Sequence, residues 1–121
     1  MHHTLVKSYK DLIIWQRSMD LVEIIYRVTE DFPAKESFGL ISQMRRSAVS
    51  IPSNIAEGYG RQSTGSYSQF LSIARGSLFE LETQVEICAR LKYLQPMENG
   101  KLNSEIVEIS KMVSSLISKL K

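Results

Sequence analysis

The chain has 121 residues, 43% of them hydrophobic and 23% charged, with a formal net charge of +2. That length reads as one domain, 1–121, able to bury a core without staples, and the composition suits a soluble globular protein. The net charge is too weak to imply a partner. A lone cysteine, Cys88, excludes an internal disulfide and fits a reducing cytoplasm. The longest early apolar run, Leu12 to Trp15, is far too short to span a bilayer, and no signal-peptide pattern precedes it, so a cytoplasmic location is expected.

Met1 to Lys7 reads as a frayed lead-in, and His2 and His3 as an incidental pair, not a metal site. A first helix is predicted over about 9–31, ended by Pro33, which disfavours helix in the residue before it. It carries two apolar stripes: Leu12, Trp15, Met19, Val22 and Tyr26, and Ile14, Leu21, Ile25, Val28 and Phe32. Trp15 is expected in the core or an interface.

A second helix over about 37–58 follows from apolar residues at 40, 44, 48, 51 and 55. Ser37 or its neighbour is the expected N-cap, and Gly58 sits where a C-cap favours positive φ. At about 100° per residue the low-polarity arc is roughly 200° wide, against roughly 100° for a surface helix of a monomer. Burial on more than one side is therefore expected, by the bundle and by another subunit. Arg45 lies beside that arc and is assigned to an oligomer interface; Arg46 lies on the polar face. Pro52 removes a backbone hydrogen bond. It should bend the helix so that two helices can pack closely, and Ser50, Ser53 or Asn54 can compensate by bonding locally or across helices.

Ser63 is the expected N-cap of a third helix, over about 64–93. A helix N-terminus exposes unpaired N–H groups and attracts anions, so Arg61, Ser63 and Thr64 form a candidate anion site. Gly58-x-Gly60 is no phosphate loop, since it follows a helix and lacks a GK[ST] ending. A continuous face from Tyr67 to Ala89 includes Cys88, expected to be buried and inert. Gly76 suggests a place where another backbone comes close. Phe79 and Ile87 point off the main face and, with Pro52, are assigned to an oligomer interface.

Residues 95–100 read as a turn-rich connection, and a fourth helix over about 100–120 has a heptad seam of Leu102, Ile106, Ile109, Val113, Leu116 and Leu120. Lys119 and Lys121 suit the negative end of its dipole. Four helices with short connections make an all-α, antiparallel up-down-up-down four-helix bundle the natural fold.

Two strings carry a family resemblance. One is Gln43-x-Arg45-Arg46-x-Ala48-x-Ser50-Ile51-Pro52-x-Asn54-Ile55-Ala56-Glu57-Gly58, followed by Arg61 and Ser63. The other is Phe70-Leu71-x-Ile73-Ala74-x-Gly76-Ser77-Leu78-x-Glu80-Leu81-Glu82. With Asp11-Leu12-x-x-Trp15 and Phe32-Pro33, they make residues 9–95 resemble the bacterial 23S ribosomal RNA intervening-sequence protein family. The accessory protein of diversity-generating retroelements is similar. The resemblance implies a four-helix bundle that assembles into a ring, specifically a pentamer.

No Glu-x-x-His pair of the di-iron bundles occurs, and Glu80, Glu82 and Glu86 lie on an expected solvated face without partner ligands. No catalytic constellation, metal site or cofactor is therefore expected, and the chain reads as non-enzymatic. The informative charge is local. Residues 37–76 hold Arg45, Arg46, Arg61 and Arg75 against the single acid Glu57, with no lysine. Guanidinium suits bidentate phosphate contacts and interface ion pairs. One reading is a homo-oligomer that binds RNA or DNA phosphates through Arg46, Arg61, Arg75, Ser63 and Thr64. The other is an interaction scaffold whose arginines pair with glutamates across subunits.

Overall fold

The computed structural model describes residues 6–121; the His2–His3 pair lies outside them. Ser8 and Asp11 begin the fold with reciprocal bonds. The Ser8 hydroxyl accepts the Lys10 N–H at 3.2 Å, and the Asp11 carboxylate accepts the N–H groups of Lys7 and Ser8. These local bonds hold Tyr9–Asp11 in a 3-10 turn, and Leu12 is extended. Helix α1 therefore runs Ile13–Thr29, with no unbroken helix from residue 9 to 31. Serine and aspartate compete with the helix by bonding nearby backbone.

Beyond Pro33 a second 3-10 turn, Ala34–Glu36, leads to Gly39, the N-cap of α2 (Leu40–Tyr59). Ser37 does not cap it; its N–H closes the turn on the Ala34 carbonyl. Nor does Gly58 end it. Gly58 is a buried, helical residue, the C-cap is Gly60 with φ −73°, and no described glycine has positive φ. Gly58 is there for proximity: a Cβ at this position would lie 2.7 Å from Phe70 Cβ and 3.2 Å from Tyr67 Cδ1.

Helix α3, Thr64–Arg90, starts at Ser63, whose hydroxyl accepts the Ser66 N–H at 3.1 Å. It stops three residues before the expected end. Lys92 turns left-handed (φ 64°), and the Tyr93 N–H closes on the Cys88 carbonyl at 2.9 Å, the bond of a Schellman motif. Helix α4, Pro96–Lys119, starts inside the expected turn. Pro96 occupies the first helical position, which its fixed φ favours. The Glu98 carboxylate accepts the Gln95 N–H at 3.1 Å, and Asn99 and Gly100 are absorbed into the helix.

The architecture is all-helical, four long helices with no strand among the described residues. They form a square. Each helix packs on its chain neighbour, α1 closes on α4, and the backbones of the diagonal pairs stay apart. The core includes Leu21 and Ile25 of α1, Met44, Ile51 and Ile55 of α2, Leu71, Leu78 and Leu81 of α3, and Ile106, Ile109 and Val113 of α4. The expected seam of α4 holds up to Val113, then passes to Ile117, leaving Leu116 and Leu120 only half-buried. A straight helix drifts about 20° per heptad against a strict seven-residue repeat.

The wide arc of α2 is used mostly within the chain. Ile41, Met44, Ser47, Ala48, Ile51, Pro52, Ile55 and Gly58 are all buried, because α2 lies between α1 and α3. Around Pro52, which donates no N–H, side chains add bonds to carbonyls. Ser53 Oγ donates to Val49 O at 2.8 Å, Asn54 Nδ2 to Ser50 O at 2.8 Å, and Ser50 and Ser77 share a hydroxyl bond of 2.8 Å across helices. Pro52→Ala is expected to keep the helical content and raise the melting temperature, since proline costs a helix interior up to about 3 kcal/mol relative to alanine. A large loss of helix signal by circular dichroism would show that the proline is required for the fold.

Candidate nucleic-acid interface

The arginines of the lysine-free segment leave α2, the loop after it and α3 in four directions. Arg45 is turned onto the end of α1. Its Nε donates to Thr29 Oγ1 at 3.0 Å, a terminal nitrogen donates to Tyr26 O at 3.3 Å, and the guanidinium lies 4.5 Å from the Tyr26 ring centroid. It thus complements the negative end of the α1 dipole, a structural task inside one chain.

Arg61 folds back onto its own helix. It pairs with Glu57 at 3.1 Å and covers the Phe70 ring at 4.9 Å. Both partners of that i,i+4 pair are more than half exposed, and such pairs contribute about 0.3–0.5 kcal/mol, so the guanidinium exchanges partners readily. Ser63 already satisfies one N–H of the α3 N-terminus, and Thr64 is exposed beside it. Arg75 lies across the molecule on the α4 side of α3, donating to Ser114 Oγ at 3.1 Å.

Arg46 differs from the others. It is exposed, and among the described residues its side chain makes no hydrogen bond or ion pair. It lines a cleft of about 490 Å³ between α2 and α3, together with Ser42, Gln43, Ser47, Ser50, Ser77, Glu80 and Phe38. Ser47 and Ser77 form a nearly buried floor, at 4% and 9% exposure. Gln84 shares a helical face with Ser77 and Glu80; it is buried, and its Oε1 has no partner. The five expected nucleic-acid-binding residues are thus divided. Arg61, Ser63 and Thr64 gather at the α2–α3 loop, while Arg46 and Arg75 occupy separate sides.

The residues assigned to an oligomer interface are divided as well. Phe79 (53% exposed) and Val107 line a groove between α3 and α4, and Ile87 is exposed further along α3. Pro52 is buried under a groove between α1 and α2, where Trp15, Met19, Val22 and Val49 gather and Trp15 meets Tyr9 edge-on at 5.4 Å. Gly76 has nothing of its own chain within 4 Å of an added Cβ, so no other helix of this chain makes the close approach expected there.

Sequence reading missed two features. Phe38 is 100% exposed at the rim of the Arg46 cleft; its position between the 3-10 turn and α2, outside any periodic stripe, offered no signal. Arg17 of α1 joins α4 through Glu105 at 3.0 Å and Glu108 at 2.8 Å, which push its pKa further above the ordinary arginine value. Burial and the nearby Glu36 push the Cys88 thiol up to about 11, and its Sγ lies 3.4 Å from Met44 Sδ. Among the described residues no three His, Cys, Asp or Glu side chains converge on a metal position. No helix of the described residues is long and apolar enough to cross a membrane.

A family model described as 23S rRNA-intervening sequence protein matches residues 10–115. Among solved structures, the chain is similar to a protein of unknown function from the S23 ribosomal protein family of Bacteroides thetaiotaomicron VPI-5482. The TM-score is 0.79 at 26% identity, over 88% of this chain and 96% of that one. No curated protein matches the sequence.

Proposed function

We propose, for a chain that belongs to the 23S rRNA-intervening sequence protein family, a non-enzymatic bundle that self-assembles and binds nucleic-acid phosphates through the Arg46 cleft. The helices alternate in direction. Supporting this, Met44 meets Cys88 while Ser50 meets Ser77, and Arg45 bonds Thr29 while Pro52 shares a groove with Trp15. The assembly brings the α1/α2 groove of one copy against the α3/α4 groove of the next. These grooves lie on opposite sides of the square, so the contact is head-to-tail and closes as a ring if the rotation permits. The family resemblance, including that to the retroelement accessory protein, makes a pentamer the specific expectation. The cytoplasm is the expected compartment.

One observation carries the nucleic-acid reading: among the described residues Arg46 has no carboxylate partner, and it opens on a cleft rich in hydroxyl groups. A single such site binds phosphate weakly, and a ring repeats it, raising avidity without new contacts. The scaffold reading is favoured by Arg61, which is already bonded to the Glu57 carboxylate.

Gel shifts of the wild-type protein with unrelated RNA and DNA sequences at low salt separate the two readings. Binding should fall steeply with salt as counterions are released. Arg46→Ala should weaken it similarly across sequences and flatten the salt slope, with Arg61→Ala having a smaller effect. Absence of any shift by the wild-type assembly would leave the scaffold reading.

A further inference from the structure

We propose that the α2/α3 cleft holds one nucleotide of a single-stranded nucleic acid, with its base stacked on Phe38, its phosphate on Arg46 and its base edge toward Glu80. The proposal rests on the nucleic-acid reading above and adds to it a strand form and a base contact.

Phe38 is the starting point. A wholly exposed phenylalanine gains nothing from the core, yet its backbone is well held. The Gly39 N–H closes on Glu36 O at 3.1 Å on one side of α2's start, and the Gln43 N–H on Gly39 O at 3.0 Å on the other. The backbone that carries the ring is therefore anchored at the start of α2. Arg46 lies six positions beyond Leu40, roughly 9 Å along α2 from its first residue, a gap that a long arginine side chain and a nucleotide can span together. An aromatic face accepts any unpaired base, whereas bases within a duplex are already stacked and cannot reach it.

The charge of the lining selects the occupant further. A bare anion would meet Arg46 but also the Glu80 carboxylate in the same cleft. A nucleotide satisfies both, because its phosphate is anionic while the edges of cytosine, adenine and guanine carry amino donors that a carboxylate accepts. Uracil and thymine offer only the single N3–H donor, so a modest preference against them is superimposed on phosphate binding. A second copy of the chain is the competing occupant for Phe38. The surroundings of Phe38 are hydroxyl and charged groups, while Trp15, Met19, Val22 and Pro52 gather in the groove on the α1/α2 side.

The test uses the full chain, a labelled single-stranded oligoadenylate and a duplex of equal length, read by fluorescence anisotropy at low salt, with mass measured by light scattering. Phe38→Ala should weaken single-strand binding about tenfold, change duplex binding less than twofold and leave the mass unaltered. Phe38→Tyr should bind like the wild type, and Arg46→Ala should weaken both ligands. If Phe38→Ala leaves single-strand affinity intact, the stacking proposal is overturned while phosphate binding stands. A fall in mass with Phe38→Ala would make the ring a subunit anchor and also overturn the proposal. Failure of the wild type to bind either ligand would remove the nucleic-acid reading itself.

Discussion

Phe79→Glu is expected to convert the assembly into single chains at micromolar concentration, seen as a severalfold drop in mass by light scattering with unchanged helical content. Phe79 is already 53% exposed in the isolated chain, so a glutamate there stays hydrated and costs the fold little, within about 0.5 kcal/mol. In a head-to-tail contact the same carboxylate would be enclosed by the apolar groove of the next copy. An unpaired buried charge costs at least several kcal/mol, and each 1.4 kcal/mol is tenfold in affinity. A ring has one such contact per subunit, so the loss recurs at every joint. An unchanged mass for this variant would move the interface elsewhere, and a monomeric wild type would end the assembly reading.

Gly58→Ala is expected to destabilise the fold by up to about 2 kcal/mol net, although alanine is the better helix former by about 1 kcal/mol. The new methyl would meet Phe70 Cβ at 2.7 Å and the Tyr67 ring and carbonyl at 3.2 and 3.3 Å. Phe70 Cβ is fixed to the α3 backbone, so relief requires separating α2 from α3, and overpacking of this kind costs about 1–3 kcal/mol. Gly76→Ala supplies the control. No atom of the chain is near its added Cβ, so there the propensity term acts alone and stability should rise by about 1 kcal/mol. Thermal unfolding of the two variants should shift in opposite directions. Equal shifts of the same sign would show that close approach at Gly58 does not decide the outcome.

The four helices were legible because each keeps its apolar residues at helical spacing over at least four turns, as Leu71, Ala74, Leu78, Leu81, Val85 and Cys88 do in α3. Their ends were less so. The break at Leu12 depends on Ser8 and Asp11 bonding each other's backbone, and the start at Pro96 on a Gln95–Glu98 box. Neither follows from periodicity. Gly58 was misread because a glycine near a helix end most often serves its φ, and only the position of Phe70 reveals the other use. The arginine-rich segment was visible as composition. Its division into a helix clasp (Arg45), a local pair (Arg61), an α4 contact (Arg75) and an unpaired side chain (Arg46) needed the packing of neighbouring helices. Phe38 was silent, since one aromatic between a 3-10 turn and a helix start has no pattern to break.

The square arrangement has a kinetic consequence. Three of its four edges join helices consecutive in the chain, and only α1 on α4 requires the two ends of the sequence to meet. Chains dominated by near-sequence contacts fold fast, because little loop entropy precedes the first favourable pairing. The α2–α3 hairpin is the most extensive edge and the α1–α4 edge the sparsest. The hairpin is thus the natural nucleus, and the α1–α4 edge closes late. Arg17, reaching Glu105 and Glu108 across that last edge, acts after the rate-limiting step. Its removal should therefore quicken unfolding while leaving the folding rate nearly unchanged.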